Sequence, residues 1–157
     1  MSTRRTALVG ALERQTRVQV LRTVTNMQVI ATRAGINMID MQCLSLLTLD
    51  GPSTPSQIAA TMAIGKGGAV TAMIDRLEKA GYLRRTRDPY DRRKVLVEVV
   101  LDGAPFRRLV GLFQPSAAAF TGVLADYTDE QLELLVDYFE RSNEAFGVML
   151  SEPADEK

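Results

Sequence analysis

Histidine is absent from the 157-residue sequence, and cysteine occurs once, at Cys43. Without histidine the chain cannot build a Ser-His-Asp triad or the common histidine-ligated zinc sites. A single cysteine cannot form an intramolecular disulfide, which fits a reducing compartment. No apolar stretch approaches the roughly 20 residues that a membrane span requires. These absences exclude several classes of enzyme and membrane protein, and they predict a cytoplasmic protein.

Recognisable enzyme motifs and an export signal are also lacking. The sequence contains no phosphate-binding loop, no metal-ligand spacing and no nucleophile–base pair, so we expect no enzymatic activity, no cofactor and no bound metal. Arg4 and Arg5 precede a short apolar run, a pattern that resembles an export signal. The run, residues 7–12, is too short for a signal peptide and is ended by Glu13 and Arg14. We therefore expect no export.

Charge of either sign is not in excess overall, because 19 Lys and Arg residues balance 19 Asp and Glu residues. The balance does not hold locally. Residues 1–33 carry a net charge of +5 and residues 54–94 another +5, whereas residues 34–53 carry −2 and residues 95–157 carry −8. Such asymmetry indicates a surface that faces a polyanion. The alternative is a random scatter of solvated charge.

Helical patterns and helix-capping residues are present in the first half of the chain. Apolar residues at helical spacing predict one long amphipathic helix over residues 8–31. Asn37 is a suitable N-cap for a second helix, which ends at residues 50–52, Asp-Gly-Pro. Residues 54–57, Thr-Pro-Ser-Gln, form a capping-box pattern with proline at the first helical position. They predict a short third helix through Met62.

The next segment predicts a helix followed by a basic hairpin. A glycine-rich turn at residues 65–68 leads into a helix with inner-face residues Val70, Ile74 and Leu77, and Gly81 is placed to end it. Two extended runs follow, over residues 82–87 and 94–101, around the turn sequence Asp-Pro-Tyr-Asp. Two arginines come directly after this turn, so the tip of the hairpin is cationic.

Two further helices complete the predicted element order. One runs from about residue 102 to residue 127, and Pro115 is expected to kink it. The other opens with a second capping box at residues 128–131.

This order of elements predicts a winged helix-turn-helix. The helix before the hairpin is sized to enter the major groove of B-DNA, and the hairpin reaches the adjacent backbone or minor groove. Small residues at 67–69 let a helix N-terminus approach phosphate, and arginine suits a narrow, electronegative minor groove. The alternative is that glycine only shapes the turn and that the basic hairpin is a solvated edge protected from aggregation.

Residues 54–103 resemble the multiple antibiotic resistance regulator (MarR) family of transcription factors. The matching residues are Ile58-Ala59, Val70-Thr71, Asp75-Arg76-Leu77-Glu78, Gly81-Tyr82-Leu83, Arg85 and Asp88-Pro89-Tyr90-Asp91-Arg92-Arg93, followed by the valine strand and Gly103. The hairpin motif and its spacing from the helix are fairly specific. The flanking helices extend the resemblance over about residues 8–150.

The resemblance implies a mainly α (α+β) fold, a winged helix-turn-helix with N- and C-terminal dimerisation helices. It implies one domain over residues 1–157, with the DNA-binding portion at 37–101 and the dimerisation helices at 8–33 and 102–150. It also implies a ligand-responsive repressor that binds a pseudo-palindromic operator as a homodimer. The alternative function is a protein-interaction module with weak or lost DNA binding. Ala72 favours this alternative, because the family often has arginine at that position.

The resemblance also implies roles for individual residues. Arg93 is expected to enter the minor groove, with Asp91 orienting it through a salt bridge and Arg92 near the DNA backbone. Arg76 is expected to meet a phosphate. The complete set of expected DNA-binding residues is Ser56, Lys66, Gly67, Gly68, Thr71, Arg76, Asp91, Arg92 and Arg93.

A site for a small aromatic or phenolic effector is a further implication of the resemblance. The cleft is expected to be lined by Met27, Ile30, Met38, Met41 and Leu44. The alternative is that these residues are plain core, since methionines at helical spacing usually are. Cys43 has no basic neighbour in its helix, so we interpret it as a packed small residue rather than an oxidant sensor.

Overall fold

Six helices and one hairpin follow one another in a computed structural model, which describes residues 3–64 and 68–151. The helices are α1 (Thr3–Ala34), α2 (Met38–Asp50), α3 (Pro55–Thr61), α4 (Gly68–Lys79), α5 (Ala104–Leu124) and α6 (Asp129–Ser151). The strands, β1 (Leu83–Arg87) and β2 (Val95–Val99), lie between α4 and α5. The predicted mainly α (α+β) fold and its order of elements are confirmed. No helix in the described ranges is long and apolar enough to cross a membrane.

Reciprocal capping bonds open three of these helices, which confirms the two predicted capping boxes and the predicted N-cap at Asn37. At α2, Asn37 accepts a hydrogen bond from the Asp40 amide at 2.8 Å, and the Asp40 carboxylate accepts one from the Asn37 amide at 3.2 Å. The same reciprocal arrangement joins Thr54 with Gln57 and Thr128 with Gln131. Each box satisfies amide groups that a helix N-terminus leaves without partners.

Gly81 ends α4 and turns the chain into the hairpin. Its φ of +79° is a conformation that favours glycine. The Tyr82 amide donates to the Leu77 carbonyl at 2.9 Å, and the Gly81 amide donates to the Glu78 carbonyl at 3.0 Å. These two bonds make a Schellman turn, which confirms the predicted role of this glycine.

The hairpin is antiparallel, and Leu83, Arg85 and Arg87 stand opposite Val99, Val97 and Val95. Both strands are shorter than the predicted runs at 82–87 and 94–101. One additional pairing was not predicted from the sequence: the backbone of Ser53 exchanges hydrogen bonds of 3.1 and 2.8 Å with Val97. The turn between α2 and α3 is thereby attached to β2.

The described residues form two compact units, one ending at Phe113 and the other beginning at Gln114. In the first unit, α2 contacts α1, α4 and β2, and α4 contacts α3 and β1. The core side chains of this unit are Ile30, Ala31, Ala34, Met41, Cys43, Leu44, Leu47, Ile58, Val70, Met73, Ile74, Leu77, Tyr82, Leu83, Val97 and Leu109. A single core therefore fixes the hairpin relative to α4.

Much apolar surface on the terminal helices remains exposed. On α1, the exposed large apolar side chains include Leu8, Leu12, Val20, Leu21 and Val24. In the second unit, those on α6 include Leu134, Val136, Phe139, Phe146 and Val148. Helix α5 continues through Pro115.

Candidate nucleic-acid interface

Helix α4 has one buried face and one exposed face. Val70, Met73, Ile74 and Leu77 are buried, which confirms the predicted inner face. Thr71 is exposed in the first turn, and Gly68 is the first residue of the helix. At about 1.5 Å per residue, the 12 residues of α4 extend roughly 18 Å, a length suited to a major groove. Two further residues expected at this interface, Lys66 and Gly67, lie outside the described residues.

Arg76, in the last turn of α4, pairs with Asp40 in the first turn of α2. Its Nε lies 3.1 Å from one carboxylate oxygen of Asp40, and a terminal nitrogen lies 2.5 Å from the other. The Asp40 side chain is 2% exposed and the Arg76 side chain 50%. The hydrogen bond to Asp40 raises the pKa of Arg76. The resemblance implied a phosphate contact for Arg76 but gave no indication of this ion pair.

Arg85 of β1 ties the hairpin to α4. One of its terminal nitrogens lies 2.5 Å from Asp75, and the other pairs with Glu78. The Arg85 amide also donates to Glu78 at 3.3 Å. The hydrogen bond to Asp75 raises the pKa of Arg85. Two acidic residues one helical turn apart thus bind a single guanidinium, which fixes the angle between strand and helix.

The tip of the hairpin is held by a side-chain turn at Asp88. One carboxylate oxygen accepts from the amides of Tyr90 at 2.8 Å and Asp91 at 3.1 Å. These bonds lower the pKa of Asp88, because they favour its ionised form. The Lys94 amide then donates to the Asp91 carbonyl at 2.8 Å and closes the tip.

Cationic side chains project from this tip. Arg93 is 92% exposed, and its Nε lies 3.3 Å from the carboxylate of Asp91. Lys94 lies 4.0 Å from the other oxygen of that carboxylate. Arg92 is exposed, and its carbonyl accepts a hydrogen bond from Arg87 at 3.4 Å. The arrangement presents arginine to a partner while one carboxylate limits its orientations.

Comparisons with known proteins agree with this geometry. A sequence model of the MarR family matches residues 36–95. An uncharacterised HTH-type transcriptional regulator of Bacillus subtilis, YcgE, is 34% identical over 117 residues, which cover 74% of each chain. The chain belongs to the MarR family.

Solved structures show the same fold for this MarR-family chain. The transcriptional regulator Tm0710 of Thermotoga maritima matches with a TM-score of 0.62 at 21% identity, over 92% of this chain and 99% of that one. A MarR family protein of Bacillus stearothermophilus matches with a TM-score of 0.67 at 19% identity, over 94% and 99%. The winged helix-turn-helix prediction is confirmed, and the chain is a DNA-binding transcriptional regulator.

The remaining residues expected at the DNA surface of this MarR regulator are placed as follows. Ser56 is exposed in the first turn of α3. Asp91 and Arg93 form the ion pair that the resemblance implied. Gly68 has space for a side chain. A Cβ at this position would meet no atom within 4 Å, apart from its chain neighbours and the backbone of its own helix, so packing does not require glycine there. Ala72 is exposed on α4.

The five residues expected to line an effector cleft all belong to the core or pack against it. Ile30, Met41 and Leu44 are 3%, 1% and 2% exposed, while Met27 and Met38 are partly buried against them. The structure brings these side chains together, and the effector cleft of this MarR regulator remains a prediction.

Cys43 is fully buried in the same core. Burial, with a smaller contribution from the nearby Asp40 carboxylate, raises the pKa of the thiol to about 11. The thiol is therefore protonated at neutral pH, as expected for a packed residue rather than an oxidant sensor.

Proposed function

We propose that the protein is a cytoplasmic, ligand-responsive repressor that binds a pseudo-palindromic operator as a homodimer. The observation that carries the proposal is the arrangement at the hairpin tip. Arg93 is almost fully exposed and is oriented by Asp91, while Arg85 holds the hairpin against α4. Helix α4 has a length suited to the major groove, and the β1–β2 hairpin, the wing, carries arginine at its tip. Because the two are held together, they suit adjacent grooves of one duplex. We propose no enzymatic activity and no cofactor.

The individual DNA contacts in this proposal are those that the family resemblance implies. Arg93 enters the minor groove, where the negative potential of a narrow groove favours its guanidinium. Arg92 and Ser56 lie near the DNA backbone, and Arg76 meets a phosphate. The residues that face the major groove are Lys66, Gly67, Gly68 and Thr71.

The exposed apolar surface of the terminal helices supports a homodimer. Leu8, Leu12 and Leu21 of α1 are 56%, 59% and 68% exposed, and several large apolar side chains of α6 are equally uncovered. Apolar side chains exposed in this number on amphipathic helices indicate an interface with a partner. We propose a two-fold dimer assembled through residues 8–33 and 102–150. In it the two copies of α4, the recognition helix that enters the major groove, stand about one DNA turn apart.

An effector of small aromatic or phenolic chemistry is the second ligand in the proposal. Met27 and Met38 are only partly buried and pack against the core that contains Met41. Methionine side chains adapt to irregular ligands because they are unbranched and polarizable. A thermal-shift screen of phenolic acids tests this part, and a ligand that also weakens operator binding supports it.

Operator binding is tested by titrating the protein's own upstream DNA at several salt concentrations. The Arg93→Ala variant should lose roughly 1–3 kcal/mol, about 5–150-fold in Kd. Arg84→Ala is a matched control, because Arg84 is an exposed arginine of the same hairpin that pairs with Glu98. Equal operator affinity of Arg93→Ala and wild type at the same salt concentration would show that the wing assignment is wrong.

A protein-interaction module is the alternative, and the exposed Ala72 favours it. A small apolar residue on the outward face of α4 contributes neither charge nor a hydrogen bond to a base. Under this alternative the upstream DNA binds weakly, and any partner interaction is insensitive to salt. A steep fall of DNA affinity with salt would favour the repressor instead.

A further inference from the structure

Asp40 is an unusual residue for the interior of this protein. Among residues 3–64 and 68–149, for which side-chain burial is described, it is the charged residue that the fold buries, with a side chain that is 2% exposed. A buried carboxylate is costly unless it is paired and hydrogen-bonded. Here the carboxylate accepts from the Asn37 amide and from two nitrogens of Arg76. Its position is therefore fixed from both α2 and α4.

The pairing uses only part of the Arg76 guanidinium. This group carries five N–H donors in a planar fork, and the bonds to Asp40 use one on Nε and one on a terminal nitrogen. Three donors remain, and two of them form an edge that matches a phosphate group. The Arg76 side chain is 50% exposed, so solvent or a ligand reaches the part that Asp40 does not cover.

The neighbours of Arg76 on α4 leave this edge uncovered. Ala69 and Ala72 precede it by seven and four residues, so they lie on the same side of the helix. Both are exposed and have small side chains. Lys79, three residues after Arg76, is also exposed on this side of α4, so Arg76 is distinguished by the carboxylate that fixes its guanidinium.

We propose that Asp40 is a positioning residue for DNA binding, which holds the Arg76 guanidinium with its free edge toward a phosphate beside the major groove. The inference rests on the proposed function, since it assigns a second role within the same DNA surface. Asp40 itself touches no DNA. It removes rotamer freedom from Arg76 before binding, and a preorganised donor loses less entropy when it meets its phosphate.

The first test compares Asp40→Asn with wild type in operator binding across a salt series. Asparagine keeps the size of the side chain and an oxygen for the Asn37 amide, but it loses the charge and one acceptor for Arg76. We expect about a tenfold rise in Kd with little change in the slope of log affinity against log salt, because Arg76 keeps its charge; Arg76→Gln, which removes that charge, should lower the slope by about one. Unchanged affinity of Asp40→Asn would overturn the inference.

The second test asks whether Asp40 acts through Arg76. In an Arg76→Gln background, Asp40→Asn should cause no further loss of operator affinity, since the group that it positions is gone. A purely structural role predicts that Asp40→Asn weakens binding by the same factor in both backgrounds. That result would contradict the proposal. Thermal unfolding of each variant ensures that binding is measured on folded protein.

Arg76→Lys keeps the inference testable if Asp40→Asn does not fold. Lysine retains the charge but cannot bind Asp40 and a phosphate through two edges of a planar group. We expect weaker binding with the wild-type salt slope, and wild-type affinity would count against the proposal. If Arg93→Ala weakens binding while Arg76→Gln does not, only the positioning role fails. If neither variant changes binding, the proposed DNA surface itself is wrong.

Discussion

The phenolic hydroxyl of Tyr82 donates a hydrogen bond to the backbone carbonyl of Ala34, at a distance of 3.3 Å. Ala34 is the last residue of α1, and Tyr82 directly precedes β1, so the bond joins residues 48 positions apart. Both residues are buried, at 6% and 2% exposure. A carbonyl that the helix end leaves without an internal partner is thereby satisfied, and the base of the wing is fixed to α1.

The Tyr82→Phe substitution should destabilise the protein without affecting its DNA surface. We expect the free energy of unfolding to fall by about 0.5–1.5 kcal/mol, because the Ala34 carbonyl stays buried and loses its donor. Urea unfolding followed by circular dichroism measures the change. Tyr90→Phe is the matched control, since Tyr90 is 98% exposed, and it should leave stability unchanged. Equal stability of Tyr82→Phe and wild type would show that the bond contributes nothing.

The Arg85→Ala substitution should remove the ion pairs that hold the β1–β2 hairpin against α4. Loss of the contacts to Asp75 and Glu78 should lower the free energy of unfolding by about 1 kcal/mol, since Arg85 is partly exposed and the contacts form a network. The operator affinity of the folded variant should also fall several-fold, because Arg93 is no longer held at a fixed angle to α4.

Arg84→Ala provides the control for this effect. Arg84 is the neighbouring arginine on the same strand, and it pairs with Glu98 across the hairpin at 2.6 Å rather than with α4. Its removal should change operator affinity much less than removal of Arg85. If the two variants weaken binding equally, the orientation of the wing does not depend on Arg85.

The Cys43 thiol should resist modification while the protein is folded. Its pKa of about 11 lies above the ordinary value, so the reactive thiolate is scarce at pH 7 and becomes more abundant only as the pH rises toward 11. A colorimetric disulfide reagent should label one thiol per chain in denaturant and almost none in native protein at pH 7–8. Rapid stoichiometric labelling of the native protein would contradict the assignment of Cys43 as a packed residue.

Sequence patterns predict those features of the fold whose causes are local. Each capping box at Asn37, Thr54 and Thr128 depends on two residues three positions apart, and Gly81 ends α4 through bonds within five residues. The ion pair of Asp91 with Arg93 spans two residues and belongs to the motif that carries the family resemblance. The sequence predicts the N-cap at Asn37, the boxes at Thr54 and Thr128 and the helix stop at Gly81, and the resemblance implies the ion pair.

Contacts between distant segments were not predictable in the same way. Asp40 and Arg76 lie 36 residues apart, and no local sequence pattern links them. Ser53 pairs as a single residue, so it leaves no alternating pattern that would identify a strand. The pairing of Arg85 with Asp75 and Glu78 depends on how the hairpin packs against α4. Such contacts follow from tertiary packing, which periodicity does not encode.

The attachment of Ser53 to Val97 has a consequence for the shape of the operator. It couples the start of α3 to β2, while Arg85 couples β1 to α4. Helices α3 and α4 and the hairpin, which we propose to contact DNA, are thus joined to one another. They cannot change their orientations separately to fit an irregular duplex. We therefore expect the duplex, rather than the protein, to adjust its shape on binding. We expect tight operators to carry easily deformed pyrimidine–purine steps, including at positions that no side chain contacts.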